Sequence, residues 1–416
     1  MTRKTDVLII GAGQAGLAMS HCLTGQGIEH VVLDRGAVGQ RWRAERWASL
    51  HLLTPNWMTR LPGWQYRGPD PEGFMHKDEV VGMLNRYSRS FAAPIREFSA
   101  VESLCRTTDG FRVTTQAETW IARSVVVATG ACDRPAVPAF AGGVARDITQ
   151  VTPGDYVHPG QLEQGGVLVV GASATGIQLA EEIHLSGRPV TLAAGAHARL
   201  PRRYRGRDVL DWLDRCGVLS EARNPSVPNH RALTQPSLQL IGSTPARDLD
   251  LMTLARLGIT ITGRVDGIGG NTVRISDSLP ADMLAAEDRR IRTLARIDDH
   301  IHSTGATAPV SADAAPLTMP VSASLRAIDL RAAGIRTILW ATGYRRSYPW
   351  LQLPVFDPSG EILQSGGITP CPGLYTLGLP FMRRRNSTFI DGVGQDAIEI
   401  TTEIARHLDI TCRAVA

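Results

Sequence analysis

Cysteine is scarce in this chain, and what there is stands apart. Cys22, Cys105, Cys132, Cys216, Cys371 and Cys412 form no Cys-x-x-Cys pair. Their scatter fits a reducing compartment and argues against a dithiol redox centre or a zinc site, so no metal is expected. Long apolar runs are also missing: none reaches the roughly 18 residues that cross a bilayer. The amino terminus, Met1-Thr-Arg-Lys-Thr-Asp6, runs directly into a short apolar segment with no signal-peptide core before it. A cytoplasmic location is the expectation. An excess of one charge is lacking too, since 44 basic residues face 40 acidic ones for a net charge of +4. That is too small and too dispersed to imply nucleic-acid or membrane partners. Nearly all the basic residues are arginine. The 43% hydrophobic and 20% charged fractions are ordinary for a globular protein, and 416 residues leave room for two or three domains.

What is present begins at Asp6-Val-Leu-Ile-Ile-Gly11-Ala-Gly13-Gln14-Ala15-Gly16. Val7 to Ile10 read as a buried parallel strand, and Leu17, Met19, Cys22 and Leu23 continue as a helix. In Gly11-x-Gly13-x-x-Gly16 the first glycine permits a tight turn. The second lets the backbone approach a pyrophosphate, and the third lets helix and strand pack closely. The helix start offers unpaired N–H groups to the phosphates. A second strand, Val31 to Leu33, ends in Asp34, 23 residues beyond Gly11, where a carboxylate can read a ribose hydroxyl. Strand, turn, helix, strand and acid together predict a dinucleotide site.

Residues 35–75 form a long stretch of low periodicity carrying Trp42, Trp47, His51, Thr54, Pro55, Asn56, Trp57, Trp64 and Tyr66. It reads either as a binding loop or lid, or as a surface loop whose tryptophans cap the core. A helix opens at His76-Lys-Asp78, with Val80, Val81, Leu84 and Tyr87 as its core stripe. Alternating runs from 95 to 122 predict a small antiparallel β element. Val125 to Val127 then end in Ala128-Thr129-Gly130, and the proline-rich Arg134 to Phe140 reads as a linker.

The opening unit then recurs. Gly165 to Val170 enter Gly171-x-Ser173-Ala174-Thr175-Gly176, followed by a helix through Ile183 and a strand from Pro189 to Leu192. Two such units imply two dinucleotide sites. Ser173 replaces the middle glycine, and the position matching Asp34 is Ala194. No carboxylate stands there for a 2′-hydroxyl. His197, Arg199, Arg202, Arg203 and Arg205 follow instead, and arginine forks bind phosphate bidentately. The second site is therefore expected to favour NADP over NAD. Residues 206–305 read as an elaboration of this unit, helical over Asp208 to Leu213, extended over Leu238 to Ile241, with an amphipathic helix over 281–302. Ala306 to Pro320 reads as loose. Thr337 to Trp340 end in a second Ala341-Thr342-Gly343. The tail carries Arg383-Arg384-Arg385-Asn386, then Gly392-Val-Gly394 and a final helix over 395–408.

Two glycine fingerprints, two strands ending Ala-Thr-Gly and a tail returning to the first unit resemble the two-dinucleotide-binding flavoproteins. In detail the chain is similar to the class B, FMO-like flavin monooxygenases, in a bacterial flavoprotein oxidoreductase subgroup. The likeness covers nearly the whole chain. It rests most on the first fingerprint, Trp42-Arg43, Leu50 to Pro55, the Ala-Thr-Gly pair and Gly392-Val-Gly394. It implies an α/β fold of two Rossmann-like dinucleotide-binding domains, for FAD and NADPH, with a helical or irregular insertion in the second. The FAD domain would take 1–150 and return over 344–416. The NADPH domain would take 151–343, with its insertion at about 206–305. By the same resemblance Gly11, Gly13, Gln14, Ala15, Gly16, Asp34 and Arg35 hold FAD, with Arg41, Trp42, His51, Thr54, Thr129, Gly130 and Gly394 also on the cofactor. Gly171, Ser173, Ala174, Thr175, Gly176, Arg199, Arg202, Thr342 and Gly343 would serve NADPH. A helix starting near Gly394 would aim its positive end at the flavin pyrimidine edge.

The implied activity is monooxygenation. NADPH reduces FAD, oxygen gives a flavin (hydro)peroxide, and a small organic substrate is oxygenated at N, at S or in a Baeyer–Villiger step. Asn56, Arg384 and Asn386 are the candidates for groups near the flavin or bound oxygen. The chain departs from the family at one signature, Phe-x-Gly-x-x-x-His. Phe140-Ala-Gly142 is present, but Arg146 stands at the His position, and Thr149-Gln150 to Tyr156 keep only an aromatic. Two other readings stay open: a dehydrogenase, reductase or oxidase without oxygenation, and a flavin-bound sensor with a degenerate NADPH site. A thioredoxin-reductase-like reading is disfavoured because no cysteine pair exists to receive electrons. Neither substrate nor oligomeric state is legible.

Overall fold

The computed structural model describes residues 2–223, 237–310 and 324–409. Cys412, part of the predicted insertion and most of the Ala306–Pro320 stretch lie outside them. Strand β1 (Thr2–Ile10), helix α1 (Gln14–Gln26) and strand β2 (His30–Leu33) follow the predicted strand–helix–strand order. Helix α2 (Lys77–Ser90) starts in a capping box. The His76 side chain accepts from the Asp78 backbone N–H, and the Glu79 carboxylate accepts from the His76 N–H at 2.7 Å. Its buried face is Val80, Val81, Met83, Leu84 and Tyr87. Strands β3 (Ile95–Arg96), β4 (Val101–Thr107), β5 (Gly110–Thr115) and β6 (Thr119–Val127) complete the first half. The sheet order is β3-β2-β1-β6-β5-β4. Strands β1, β2 and β3 run parallel, β6 runs parallel to β1, and β4-β5-β6 is the predicted antiparallel element.

The second half repeats the winding. It contains β7 (Thr149–Val151), β8 (Gly166–Val170), α3 (Ala174–Leu185), β9 (Val190–Ala193), α4 (Val209–Arg215) and β10 (Thr260–Thr262). Then come β11 (Val265–Gly269), β12 (Thr272–Ile275), the long α5 (Leu279–Thr304), β13 (Ala327–Asp329) and β14 (Ile335–Trp340). The parallel sheet has the order β7-β14-β8-β9-β10, with β11-β12-β13 as a separate antiparallel sheet. Every residue of β8 is buried, as a central parallel strand covered on both faces requires. Helix α5 is two residues longer at each end than its apolar period predicts, and buries Leu279, Met283, Ala286, Leu294, Ile297 and Ile301.

The chain crosses between halves twice, and the crossings are tied together. Arg134–Pro135 pairs antiparallel with Tyr344–Arg345, and the Thr342 hydroxyl donates to the Ala136 carbonyl at 2.9 Å. The proline-rich stretch is therefore half of a two-stranded ribbon. Strand β15 (Leu374–Thr376) then pairs in parallel with Val125–Val127 of β6. Helix α6 (Val393–His407) buries Ala397, Ile400 and Ile404 in the core shared with α1. The tail thus completes the first sheet. Loop tryptophans sit where the capping reading puts them: Trp47 is buried in the second core, Trp64 packs on the first, and Trp42 touches both.

Candidate functional site

The first fingerprint forms a cradle that only small residues permit. Gly11 has φ 112°, and a Cβ there would lie 2.6 Å from the Ala128 carbonyl oxygen. A Cβ on Gly16 would lie 1.8 Å from the Gly11 oxygen, whereas one on Gly13 would meet nothing within 4 Å. The outer two glycines are needed for packing; the middle one faces open space, where a ligand would approach. Helix α1 starts at Gly13 with no side-chain cap, leaving its first N–H groups for a guest. Ala15 is buried, and Gln14 Nε2 reaches the Thr388 carbonyl at 3.5 Å, so the returning tail borders this cradle.

The second fingerprint has the same construction. Gly171 has φ 106°, its virtual Cβ lies 2.3 Å from the Ala341 oxygen, and that of Gly176 lies 1.8 Å from the Gly171 oxygen. Each Ala-Thr-Gly strand end therefore abuts the first glycine of its own fingerprint, through Ala128 and Ala341. Thr129, Gly130, Thr342 and Gly343 sit beside the cradles for this reason. Ser173 caps α3 with extended backbone and no side-chain hydrogen bond to the helix, and Ala174 and Thr175 open the helix. Both cradles match the pyrophosphate end of a dinucleotide in shape and donor chemistry.

Asp34 stands at the end of β2 and accepts from the Ala12 N–H at 2.6 Å and the Gly36 N–H at 2.9 Å. Burial pushes its carboxyl above the usual range; those N–H groups and the charges of Arg35 and Arg41 pull the other way. Arg35 and Arg41 both face Glu45 and Asp133. His51 is half-buried, its Nδ1 within 2.9 Å of the Ser49 carbonyl and its ring 5.2 Å from that of His76. Thr54 lies in the same half-buried loop.

The arginines after β9 differ from the expectation of free phosphate forks. Arg202 is 1% exposed and bonds Asp208 at 2.5 and 2.8 Å, while its Nη1 donates to the Leu53 carbonyl at 2.7 Å. It ties the 50s loop to the second half and has no face left for a phosphate. Arg199 lies between Asp250 at 3.2 Å and Glu287 at 3.5 Å, and Arg205 pairs with Asp298 at 3.1 Å. Arg264, which the linear sequence did not single out, lies against Gly195 at the end of β9 and is exposed. The sheet brings it there from the neighbouring strand, so no local motif announces it.

Asn56 and Asn386 are buried, and each keeps a buried Oδ1 without a partner among the described residues. Asn56 Nδ2 donates to the Asp70 carbonyl at 2.9 Å, which orients the free oxygen. Met58 and Phe389, close to each in sequence, pack in one cluster with Leu219. Asn386 presses on Gly392, the uncapped start of α6, and Gly394 packs on Pro62. Arg384 departs from the expectation. Its Nη1 bonds Asp396 at 2.7 Å and its Nη2 bonds Glu399, so its charge is committed to α6. Arg146, at the signature His position, is exposed, and Tyr156 is buried with its hydroxyl on Glu182 at 2.9 Å. Burial pushes the Cys22 thiol up to about 12, against a side-chain bond from Thr401, which makes it a poor nucleophile. Among the described residues no cluster of His, Cys, Asp and Glu could hold a metal, and no helix is long and apolar enough to cross a membrane.

Residues 8–207 match the family model described as pyridine nucleotide-disulphide oxidoreductase. The whole chain is similar to an uncharacterized CzcO-like oxidoreductase of Geobacillus kaustophilus, at 31% identity over 98% of this chain and 100% of that one. A more distant relative is the rice indole-3-pyruvate monooxygenase YUCCA1, 25% identical with 95% of this chain and 90% of that one covered. Among solved structures, a variant flavin monooxygenase of Stenotrophomonas maltophilia superimposes with TM-score 0.69 at 18% identity, covering 97% of this chain and 99% of that one. At that identity the superposition speaks for the fold, which is the two-domain dinucleotide-binding fold of the flavoproteins. With two glycine cradles built alike and a full-length relative at 31% identity, the chain belongs to the CzcO-like oxidoreductases among the FMO-like flavoproteins.

Proposed function

We propose that the chain is a cytoplasmic, NADPH-dependent monooxygenase that inserts oxygen into a small organic substrate at N, at S or in a Baeyer–Villiger step. The domains in this reading are 1–150 with 344–416 for FAD, and 151–343 for NADPH. One observation carries it: among the described residues two buried amide oxygens, on Asn56 and Asn386, lie without donors. Asn386 presses on the uncapped start of α6, two residues before Thr388, which borders the first cradle, and Met58, two residues beyond Asn56, packs in one cluster with Phe389. An unpaired buried acceptor costs about 1–3 kcal/mol, so a guest with N–H groups fits there. When bound, FAD supplies hydride acceptance and oxygen activation. The chain's own residues do the rest. Gly11, Gly13, Gly16 and α1 hold the pyrophosphate, and Asp34 takes a ribose hydroxyl. Asn56 and Asn386 would orient the ring edge, and α6 would aim its positive end at it, a contribution of up to about 2 kcal/mol toward negative charge if partly buried. Arg384 serves by holding α6 rather than by touching oxygen. Gly171, Ser173, Gly176 and α3 seat the pyridine nucleotide.

The test is anaerobic stopped-flow of the yellow protein with NADPH and then NADH, followed by labelled oxygen and candidate amines, sulfides and ketones. Selective bleaching by NADPH, with one labelled oxygen atom in product, is the expected result. Bleaching followed by hydrogen peroxide alone, with every substrate class, would replace oxygenation by an oxidase or reductase reading. The exposed Arg146, where the family carries histidine, is the observation that favours this second reading. No bleaching by either nucleotide would leave only the sensor.

A further inference from the structure

We propose that Arg264 reads the 2′-phosphate of NADPH, an inference that rests on the NADPH reading above. In a sheet wound this way the adenosine ribose meets the carboxyl end of the second strand. Here that place is Ala194-Gly195, just past β9. Ala194 is buried and donates its N–H to the Thr262 carbonyl at 2.9 Å, so β9 and β10 stay paired to their ends. The chain leaving β10 therefore emerges beside Gly195. Arg264 lays its stem there, and a Cβ on Gly195 would sit 3.4 Å from Arg264 Cδ. Its side chain is 68% exposed, and its guanidinium contacts Asp266, two residues on, at 3.1 Å. Exposed pairs of that kind contribute little, so the fork can turn to a dianion at small cost. A phosphate would then accept two parallel N–H bonds from it.

The other cations near this edge are committed elsewhere. Arg199 faces two carboxylates, and Arg202 is buried on Asp208. Arg289 is exposed, but one of its terminal nitrogens is held by the His197 carbonyl at 2.5 Å. Arg264 combines exposure, a replaceable partner and contact with the strand end where a ribose 2′-substituent belongs.

Calorimetric titration of the FAD-loaded protein with 2′,5′-ADP and with 5′-ADP tests this without turnover. The unsubstituted protein should bind 2′,5′-ADP about tenfold tighter or more. Arg264→Ala should erase that preference and leave 5′-ADP affinity and the melting temperature unchanged. Asp266→Asn should strengthen 2′,5′-ADP binding. A preference that survives Arg264→Ala but disappears in Arg199→Ala would overturn the assignment and leave the NADPH reading intact. Equal affinity of the unsubstituted protein for both nucleotides would overturn selectivity for NADPH itself, and this assignment with it.

Discussion

At the scale of single residues, the three glycines of a fingerprint do different jobs, and substitution separates them. Gly16→Ala puts a Cβ 1.8 Å from a backbone oxygen, so strand and helix must part. A loss of roughly 3 kcal/mol or failure to fold is expected, read by thermal or urea melting. Gly13→Ala meets nothing in the protein and should fold normally, yet lose FAD, read as the ratio of flavin to protein absorbance. Asp34 supplies a pH prediction. Its folded carboxyl titrates above the usual aspartate value of about 4, so it binds a proton sooner on acidification than a free aspartate. For the apoprotein a raised carboxyl means stability present in acid and lost as pH rises through the folded value. For the holoprotein, protonation weakens Asp34 as an acceptor of the ribose hydroxyl, so acidification should release FAD at a higher pH than an aspartate of ordinary acidity would. Asp34→Asn should flatten both curves, followed by flavin fluorescence and apoprotein melting.

Glycine constraints are local, which is why both cradles were legible in the sequence. Arg202 and Arg264 were not, because their meaning depends on partners supplied from elsewhere in the fold: Leu53 for one, the end of β9 for the other. A linear reading after β9 finds arginines but not which carboxylates have already claimed them. Ala194 did point to a missing acid, and the compensating cation came from the adjacent strand instead of the same loop.

At the scale of elements, α6 depends on a buried charge. Asp396 is 0% exposed, and one of its oxygens lacks a partner among the described residues while Arg384 bonds the other. Arg384→Met would strand that carboxylate, a cost of about 3–5 kcal/mol. The double variant with Asp396→Leu should recover most of it in denaturant melts. If Arg384 acted on oxygen instead, the double variant would regain stability while oxygenation stayed lost. Helix periodicity placed α5 and α6 within two residues at each end and the start of α2 within one. The His76 cap of α2 was not foreseen, since histidine is an uncommon N-cap and its role shows only with the Glu79 bond back to it.

At the scale of the whole molecule, the two crossings form a ribbon beside both Ala-Thr-Gly ends, with Arg46 over Trp42 at 5.7 Å and over Tyr344 at 5.9 Å. Arg46→Ala removes a contact between the loop of Trp42 and the ribbon at the crossings. Slower reduction by NADPH is expected, with FAD content unchanged, alongside faster hydrogen exchange in 134–136 and 342–345. Unchanged exchange there would show that the stack does not hold the ribbon.

The second half is also nested inside the first, and this sets an order of completion during synthesis. Gly171 needs only Ala341 to close its cradle, but the first sheet lacks β15 and α6 until residue 407 has left the ribosome. Until then α1 has an apolar face without its main cover. The inner half can close its cradle while the outer half still waits for its last strand and helix.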